Sequence, residues 1–180
     1  MNNDVYMEYM VKKKLDAIGV LKIIGLYVAA ALVSLLLMII TFASPQIGQY
    51  LGQFTFALTV GAFIGAWWLS NYVAVEYEYI YTNGELDVDR IVARRTRKRM
   101  LTVSINNFDQ MGLAEGPDFE RAYKDPNIRV RLNAAGATTH FKDYYAVFNN
   151  KDGQRMILIF TPTTKMLEEM KRTNPFKINI

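Results

Sequence analysis

Six of the ten residues from Arg90 to Arg99 are basic: Arg90, Arg94, Arg95, Arg97, Lys98 and Arg99. Guanidinium and ammonium groups at this density grip phosphate or carboxylate oxygens. Within a Debye length of an anionic leaflet each such residue gains about 1 kcal/mol. Arg94, Arg95, Arg97, Lys98 and Arg99 are therefore the candidate binding residues, with anionic lipid headgroups or a protein partner as ligand. The competing reading is structural: Glu76, Glu78, Glu85, Asp87 and Asp89 lie on adjacent segments and neutralise the run. Nucleic acid is not expected, because no aromatic residues interleave for base stacking and the net charge of +4 is mild.

The remaining chemistry is sparse. Asp87 and Asp89 form a D-x-D pair of the kind that chelates divalent cations in transferases, yet alternation puts both on one strand face with no glycine-rich phosphate loop, so a solvated face is expected. His140 is the sole histidine and the chain has no cysteine, which removes disulfides, thiolate nucleophiles and cysteine zinc sites. No serine sits in a G-x-S-x-G setting, and H-E-x-x-H, G-x-G-x-x-G and P-loop patterns are absent. No catalytic, cofactor-binding or metal site is assigned, and an enzyme is not expected.

The elements that must position the basic run begin in a membrane. Residues 23–43 contain no charged side chain, and an uncharged run follows from Gln49 to Val75. A bilayer core of about 30 Å needs about 20 apolar residues in a helix, so spans are expected at 23–43 and 51–72. Trp67 and Trp68 suit the headgroup level. The link, 44–50, contains Pro45 and Gly48 as helix breakers and no charge. Lys12, Lys13, Lys14 and Lys22 precede the first span and the arginine run follows the second, so the positive-inside rule puts both termini in the cytoplasm of a multi-pass cell-membrane protein. A secretory signal has an apolar core of 7 to 15 residues, shorter than this run of 21. Gly61 and Gly65 form a GxxxG spacing that admits close helix packing, with the first span, another membrane protein or a second copy of the chain as partner. No acidic or basic side chain lies within either span, which argues against an ion path and for an anchor.

After the N-terminal segment, 1–22, and the spans, residues 75–180 form the cytoplasmic domain. Tyr77, Tyr79 and Tyr81 alternate with Glu76, Glu78 and Ile80, and Leu86 and Val88 resume the alternation after Asn83-Gly84. Asn-Gly between alternating runs signals a hairpin in which Tyr81 faces Leu86 and Tyr79 faces Val88, one face core and the other acidic. A third strand is expected at Arg99–Ile105 after a basic turn. Between Asn106 and Thr139 only Ile128–Leu132 reads as a strand. His140–Phe148 and Met156–Phe160 form a second hairpin whose latter strand is buried on both faces. A helix then starts with Thr161 as N-cap and Pro162 at its first position, with Met166, Leu167 and Met170 as its apolar stripe and Lys171 and Arg172 at its C-terminal end.

The stretch from Tyr77 to Ile105, with its hairpin, basic run and third strand, resembles the opening of bacterial pleckstrin-homology-like (PH-like) domains, and Thr161-Pro162 is similar to the start of their final helix. The resemblance implies a mainly β (α+β) fold: a partly open β-barrel closed by one C-terminal helix, following a membrane two-helix hairpin. Anchor and domain together lead to the expectation of a noncatalytic interaction module at the inner leaflet that binds a protein or anionic lipid; the alternatives are an accessory subunit of a larger transport-type membrane complex, assembled through the glycine face, and a membrane enzyme without a recognised motif. Eukaryotic members of the wider fold bind inositol phospholipids through a basic loop after the first strand. The loop in that place, Thr82-Asn83-Gly84, carries no basic residue, so that site does not carry over.

Overall fold

The computed structural model describes residues 5–13, 15–43, 45–137 and 140–180. Lys14, counted above among the orienting charges, Ser44 of the link and Thr139 lie outside the described residues. The chain divides into a helical unit, Leu15–Ala74, and a β unit that joins the N-terminal segment to Val75–Ile180.

The helical unit consists of α1 (Ala17–Ala43) and α2 (Pro45–Ser70). Asp16 starts α1 by accepting the Gly19 N–H at 2.9 Å. Pro45 and Gly48, expected as breakers, lie in α2: proline is tolerated at a first helical position, and Gly48 stands against the Thr41 carbonyl, where a Cβ would clash. Ala30, Ser34 and Ala66 are buried, and Thr41 and Thr55 share a hydroxyl hydrogen bond of 2.8 Å. The large side chains stay outside, among them Leu21, Leu36, Phe42, Phe56 and Trp67. An apolar surface on nearly all sides distinguishes these helices from the core helix of a water-soluble protein. Both α1 and the Gly52–Ser70 part of α2 are long and apolar enough to cross a membrane, and the protein is membrane-associated.

In the β unit, one antiparallel sheet has the order β1 (Tyr6–Lys12), β2 (Val75–Thr82), β3 (Glu85–Val92), β4 (Thr96–Ser104). The expected register holds, with Tyr81 opposite Leu86 and Tyr79 opposite Val88. The turn between them has Asn83 at φ 49° and Gly84 at φ 89°, as an Asn-Gly hairpin requires. β1 was not foreseen. It pairs antiparallel with β2 from Tyr6 opposite Thr82 to Lys12 opposite Glu76, and the Lys13 N–H donates to the Val75 carbonyl at 2.8 Å. The first loop of this sheet is thus the helical unit itself, which corrects the assignment of Thr82-Asn83-Gly84 as the loop after the first strand.

After a single 3-10 turn, the second sheet contains β5 (Phe108–Leu113), β6 (Val130–Asn133), β7 (Tyr144–Asn149) and β8 (Arg155–Phe160) in the order β5-β7-β8-β6. β6 lies parallel to β8, and α3 (Pro117–Lys124) precedes it. The two sheets enclose one core with Tyr79, Leu86, Phe108, Phe148, Leu158 and Phe160 at its centre, sealed by Met166 and Met170 of α4 (Thr164–Thr173). β8 is buried on both faces, as expected, because Phe119 and Ala122 of α3 cover Ile157, Ile159 and Tyr145.

The sheets do not close into a full barrel. Among the described residues, the stretch after β6 reaches the end of β1 through the bridge from Lys13 to Gly136 and through the Ala137 N–H, which donates to the Lys12 carbonyl at 2.7 Å; a Cβ on Gly136 would meet the Val11 side chain at 2.5 Å. On the other side the gap between β4 and β5 is covered from α4, where Asn174 donates to the carbonyls of Ile105 and Phe108. The N-cap of α4 is Thr163, which accepts from the Met166 N–H, so neither Thr161 as N-cap nor Pro162 as first helical residue holds; both precede the cap. Thr161 is fully buried: its hydroxyl accepts the Gly136 N–H at 2.9 Å and donates to Asp143 at 2.5 Å.

Candidate functional site

The register places Lys12 of β1 with Lys13 just after it, Val75 of β2 and the β3–β4 turn at one end of the first sheet. At this end the chain leaves for α1 and returns from α2. The turn is Val92-Ala93-Arg94-Arg95, closed by the Arg95 N–H to the Val92 carbonyl at 3.1 Å, with Ala93 at φ 52° and Arg94 at φ 56°. Left-handed backbone costs a residue with a Cβ about 1–2 kcal/mol, and neither residue is the Asn or Gly that accepts it readily. The left-handed pair thus falls at the start of the basic run. Beside the turn lies an open concavity of about 490 Å3 lined by Met10, Glu76, Ile91, Arg94, Arg95 and Arg97. Met10 and Ile91 give it an apolar lining, the three arginines a cationic one, and Glu76 adds a carboxylate.

The five basic candidates separate into two sets. Arg94 and Arg95 are exposed in the turn, and Arg94 reaches Glu76 at 3.5 Å with its own side chain 76% exposed. Lys98 is exposed and lies opposite Arg90 on β3. Arg97 and Arg99 point at the acidic face of the sheet: Arg97 holds Glu78 at 2.6 Å, and Arg99 holds Asp89 at 3.0 Å and Asp87 at 3.1 Å. These two carboxylates raise the Arg99 guanidinium above its ordinary value, the Asp89 hydrogen bond most.

The device that turns the two arginines is a register shift. Val88 pairs with Leu101 and Asp89 pairs with Arg99, so Met100 is an extra residue in β4. On a regular strand Arg97 and Arg99 share a face with Leu101 and Val103, which point into the core. One bulged residue reverses that phase and delivers both guanidinium groups to the carboxylates. The acidic face is therefore not the solvated surface expected from alternation. Glu78 is 0% and Asp89 2% exposed, which also corrects the reading of Asp87 and Asp89 as a solvated pair.

On the same face, β1 adds Tyr6 and Glu8, and the Tyr6 hydroxyl donates to the Glu8 carboxylate at 2.7 Å. Glu78 is raised above its ordinary value by burial first and by a hydrogen bond with Glu8 second; Glu8 is lowered by its hydrogen bonds to Tyr6 and Glu78. In the core, burial pushes the Tyr79 hydroxyl upward, and this group donates to the Ala134 carbonyl at 2.5 Å.

Gly61 and Gly65 lie on α2 where an added Cβ would meet nothing within 4 Å, so α1 does not cover them. Among the described residues no group of three or more His, Cys, Asp or Glu side chains is arranged to hold a metal ion. Sequence reasoning counted Lys12 and Lys13 only for orientation, although the pairing of β1 with β2 puts them beside Arg94 and Arg95 at the same sheet end. Their position before an apolar run was the only available signal.

A family model described as Bacterial PH-like domain (DUF6106) matches residues 3–180, that is, both the helical unit and all the strands. No curated protein and no solved structure matches the chain.

Proposed function

The chain belongs to the bacterial PH-like domain family, and from this we propose a noncatalytic interaction module that a two-span hairpin holds at the cytoplasmic face of the cell membrane. The observation that carries the reading is the insertion of the helices between β1 and β2. Strands that pair along their whole length must stand on the same side of a bilayer, so residues 5–13 and 75–180 share a compartment. The lysine and arginine bias makes that compartment the cytoplasm.

The ligand surface in this reading is the sheet end bearing Arg94, Arg95, Lys12 and Lys13, separated from the helices by only a few residues of sequence. Arg97 and Arg99 hold the acidic face together and are not the primary ligand groups. Anionic headgroups gain from four cations at the bilayer surface, and exposed Met10 among the lining residues offers apolar contact to the adjoining hydrocarbon. The test uses the full chain in lipid nanodiscs, with an environment-sensitive dye on a cysteine replacing exposed Thr96 of a chain that has no native cysteine. The dye signal should differ between anionic and neutral lipid, and the difference should shrink with salt and vanish in Arg94→Gln/Arg95→Gln. A signal indifferent to lipid charge overturns the lipid reading and leaves a protein as the ligand.

A second reading, an accessory subunit of a larger membrane complex, is supported by the open Gly61 and Gly65 face. Stoichiometric copurification with a membrane partner that Gly61→Leu/Gly65→Leu abolishes would establish it.

A further inference from the structure

β5 is the outer strand of the second sheet, so the backbone groups along its free side need a cover. Met111 finds one beyond α4. Its N–H donates to the Lys177 carbonyl at 2.9 Å, and its carbonyl accepts the Asn179 N–H at 2.9 Å. The segment past Pro175 thus runs parallel to β5, with Ile178 beside Met111 and 3% exposed in the core. The hold is narrow. It is a single bridge, and the apolar side chains flanking the anchor, Phe176 and Ile180, are 94% and 46% exposed. The segment and β5 line an open cleft of about 750 Å3. The Ala114 N–H donates to the Asp143 carbonyl at 2.9 Å, on the β7 side. Alternation therefore turns the backbone of Leu113, like that of Met111, to the free side, where no part of the segment pairs with it.

We propose that the β5 edge is a strand-addition site for an extended segment of a partner protein, and that residues 176–180 occupy it in cis as a displaceable strap. The partner segment carries a basic residue followed by an aliphatic one. The site lies on the second sheet and does not depend on the lipid reading of the basic turn.

The strap shows what the edge accepts. An aliphatic side chain takes the Ile178 seat beside Met111, where a polar one would be buried without a partner. The residue before the anchor stands next to Gln110 of β5 and on the opposite face from Ile178. On that face the Gln110 amide donates to the Tyr145 hydroxyl at 2.6 Å, and Asp109, Glu115 and Asp118 line the cleft. Three carboxylates there complement a cation, and Lys177 fills the place in cis. Main-chain pairing gives such a segment affinity and the alternate side chains give it selectivity. Proximity favours the strap, because a short tether holds it at an effective concentration on the order of millimolar. A longer segment prevails by also pairing with Leu113, which the strap leaves open.

The test uses the full chain in nanodiscs and, as probe, a fluorescent synthetic peptide with the sequence of residues 174–180. Ile178→Asp unseats the strap, and this chain should bind the peptide at least about tenfold more tightly than the unsubstituted chain, in which the strap competes. A peptide with Asp in the anchor position should bind neither. Hydrogen exchange supplies a readout without any substitution. In the unsubstituted chain the Met111 amide should exchange at least about tenfold faster than that of Leu158 on β8, inside the sheet, and saturating peptide should slow it. An Ile178→Asp chain that keeps its thermal transition but ignores the peptide overturns the proposal, as does equal binding of the Asp peptide or a Met111 amide as protected as that of Leu158. Protection of Met111 in the Ile178→Asp chain by excess unsubstituted chain, with no peptide present, would assign the edge to a second copy and overturn the partner. If Ile178→Asp fails to fold, the exchange comparison decides.

Discussion

At the residue scale, the turn at Ala93-Arg94 and the glycine at 136 are opposite cases of backbone demand. Asn83-Gly84 meets its left-handed turn with residues that accept it, and its register was legible because that dipeptide has few other uses. Ala93-Arg94 adopts similar backbone with residues that do not. Replacing Ala93→Asn together with Arg94→Gly should therefore stabilise the β unit by about 1–2 kcal/mol, seen as a higher melting temperature, while weakening the response to anionic lipid. Gly136→Ala should do the reverse, lowering the melting temperature by an amount corresponding to about 1–3 kcal/mol, because the new methyl would lie 2.5 Å from Val11 Cβ. The burial of Glu78 and Asp89 was not legible. It depends on Met100, a single inserted residue that period-two reasoning has no means of recognising, since Arg97, Arg99, Leu101 and Val103 read as one unbroken phase.

Among the elements, β2, β3, the core half of β4, β8 and α4 announced themselves through alternation, a continuous apolar run or a helical stripe, and each has its partner nearby in sequence. β1 lacks the nearby partner: its core-facing Met7, Tyr9 and Val11 alternate with Tyr6, Glu8, Met10 and Lys12, but the outer face carries only two charges to mark the alternation and the partner strand begins at Val75. α3 was hidden by its own start signal, since Gly116-Pro117 reads as a break although proline suits a first helical turn. β6 is four residues long and parallel to β8, a pairing with no turn signature. A direct consequence concerns the isolated fragment 75–180, which lacks β1 and uncovers Tyr77, Tyr79 and Tyr81 along an open edge. It should melt less cooperatively, or aggregate, compared with a chain in which residues 14–74 are replaced by Asn-Gly. Lys13 and Val75 are already hydrogen-bonded neighbours, and a two-residue turn joins such a pair. Circular dichroism melts of the two proteins make the comparison, and equal, cooperative transitions would show that β1 contributes little.

At the scale of the whole molecule, the sheet constrains the membrane path. Under the proposed topology, a thiol label on a cysteine replacing Gln46 should react only from outside the cell, and a tag after Ile180 only from inside; the reverse pattern would place the β unit outside. Converting one span into a polar segment, for example with Leu32→Arg/Leu36→Arg, would leave an odd number of crossings and separate β1 from β2, and the β unit should then lose its protease resistance even though none of its own residues has changed.

The same insertion also sets a clock on synthesis. β1 leaves the ribosome first, but its partner begins 62 positions after Lys13, a delay of about 3–12 s at about 5–20 residues per second. Through that interval Val11 and the rest of β1 have no partner strand, so under the proposed topology the nascent chain carries an unfinished sheet edge while its spans insert. Under the proposed topology, a hairpin that inserts slowly would lengthen that interval, so completion of the β unit would wait on events in the lipid.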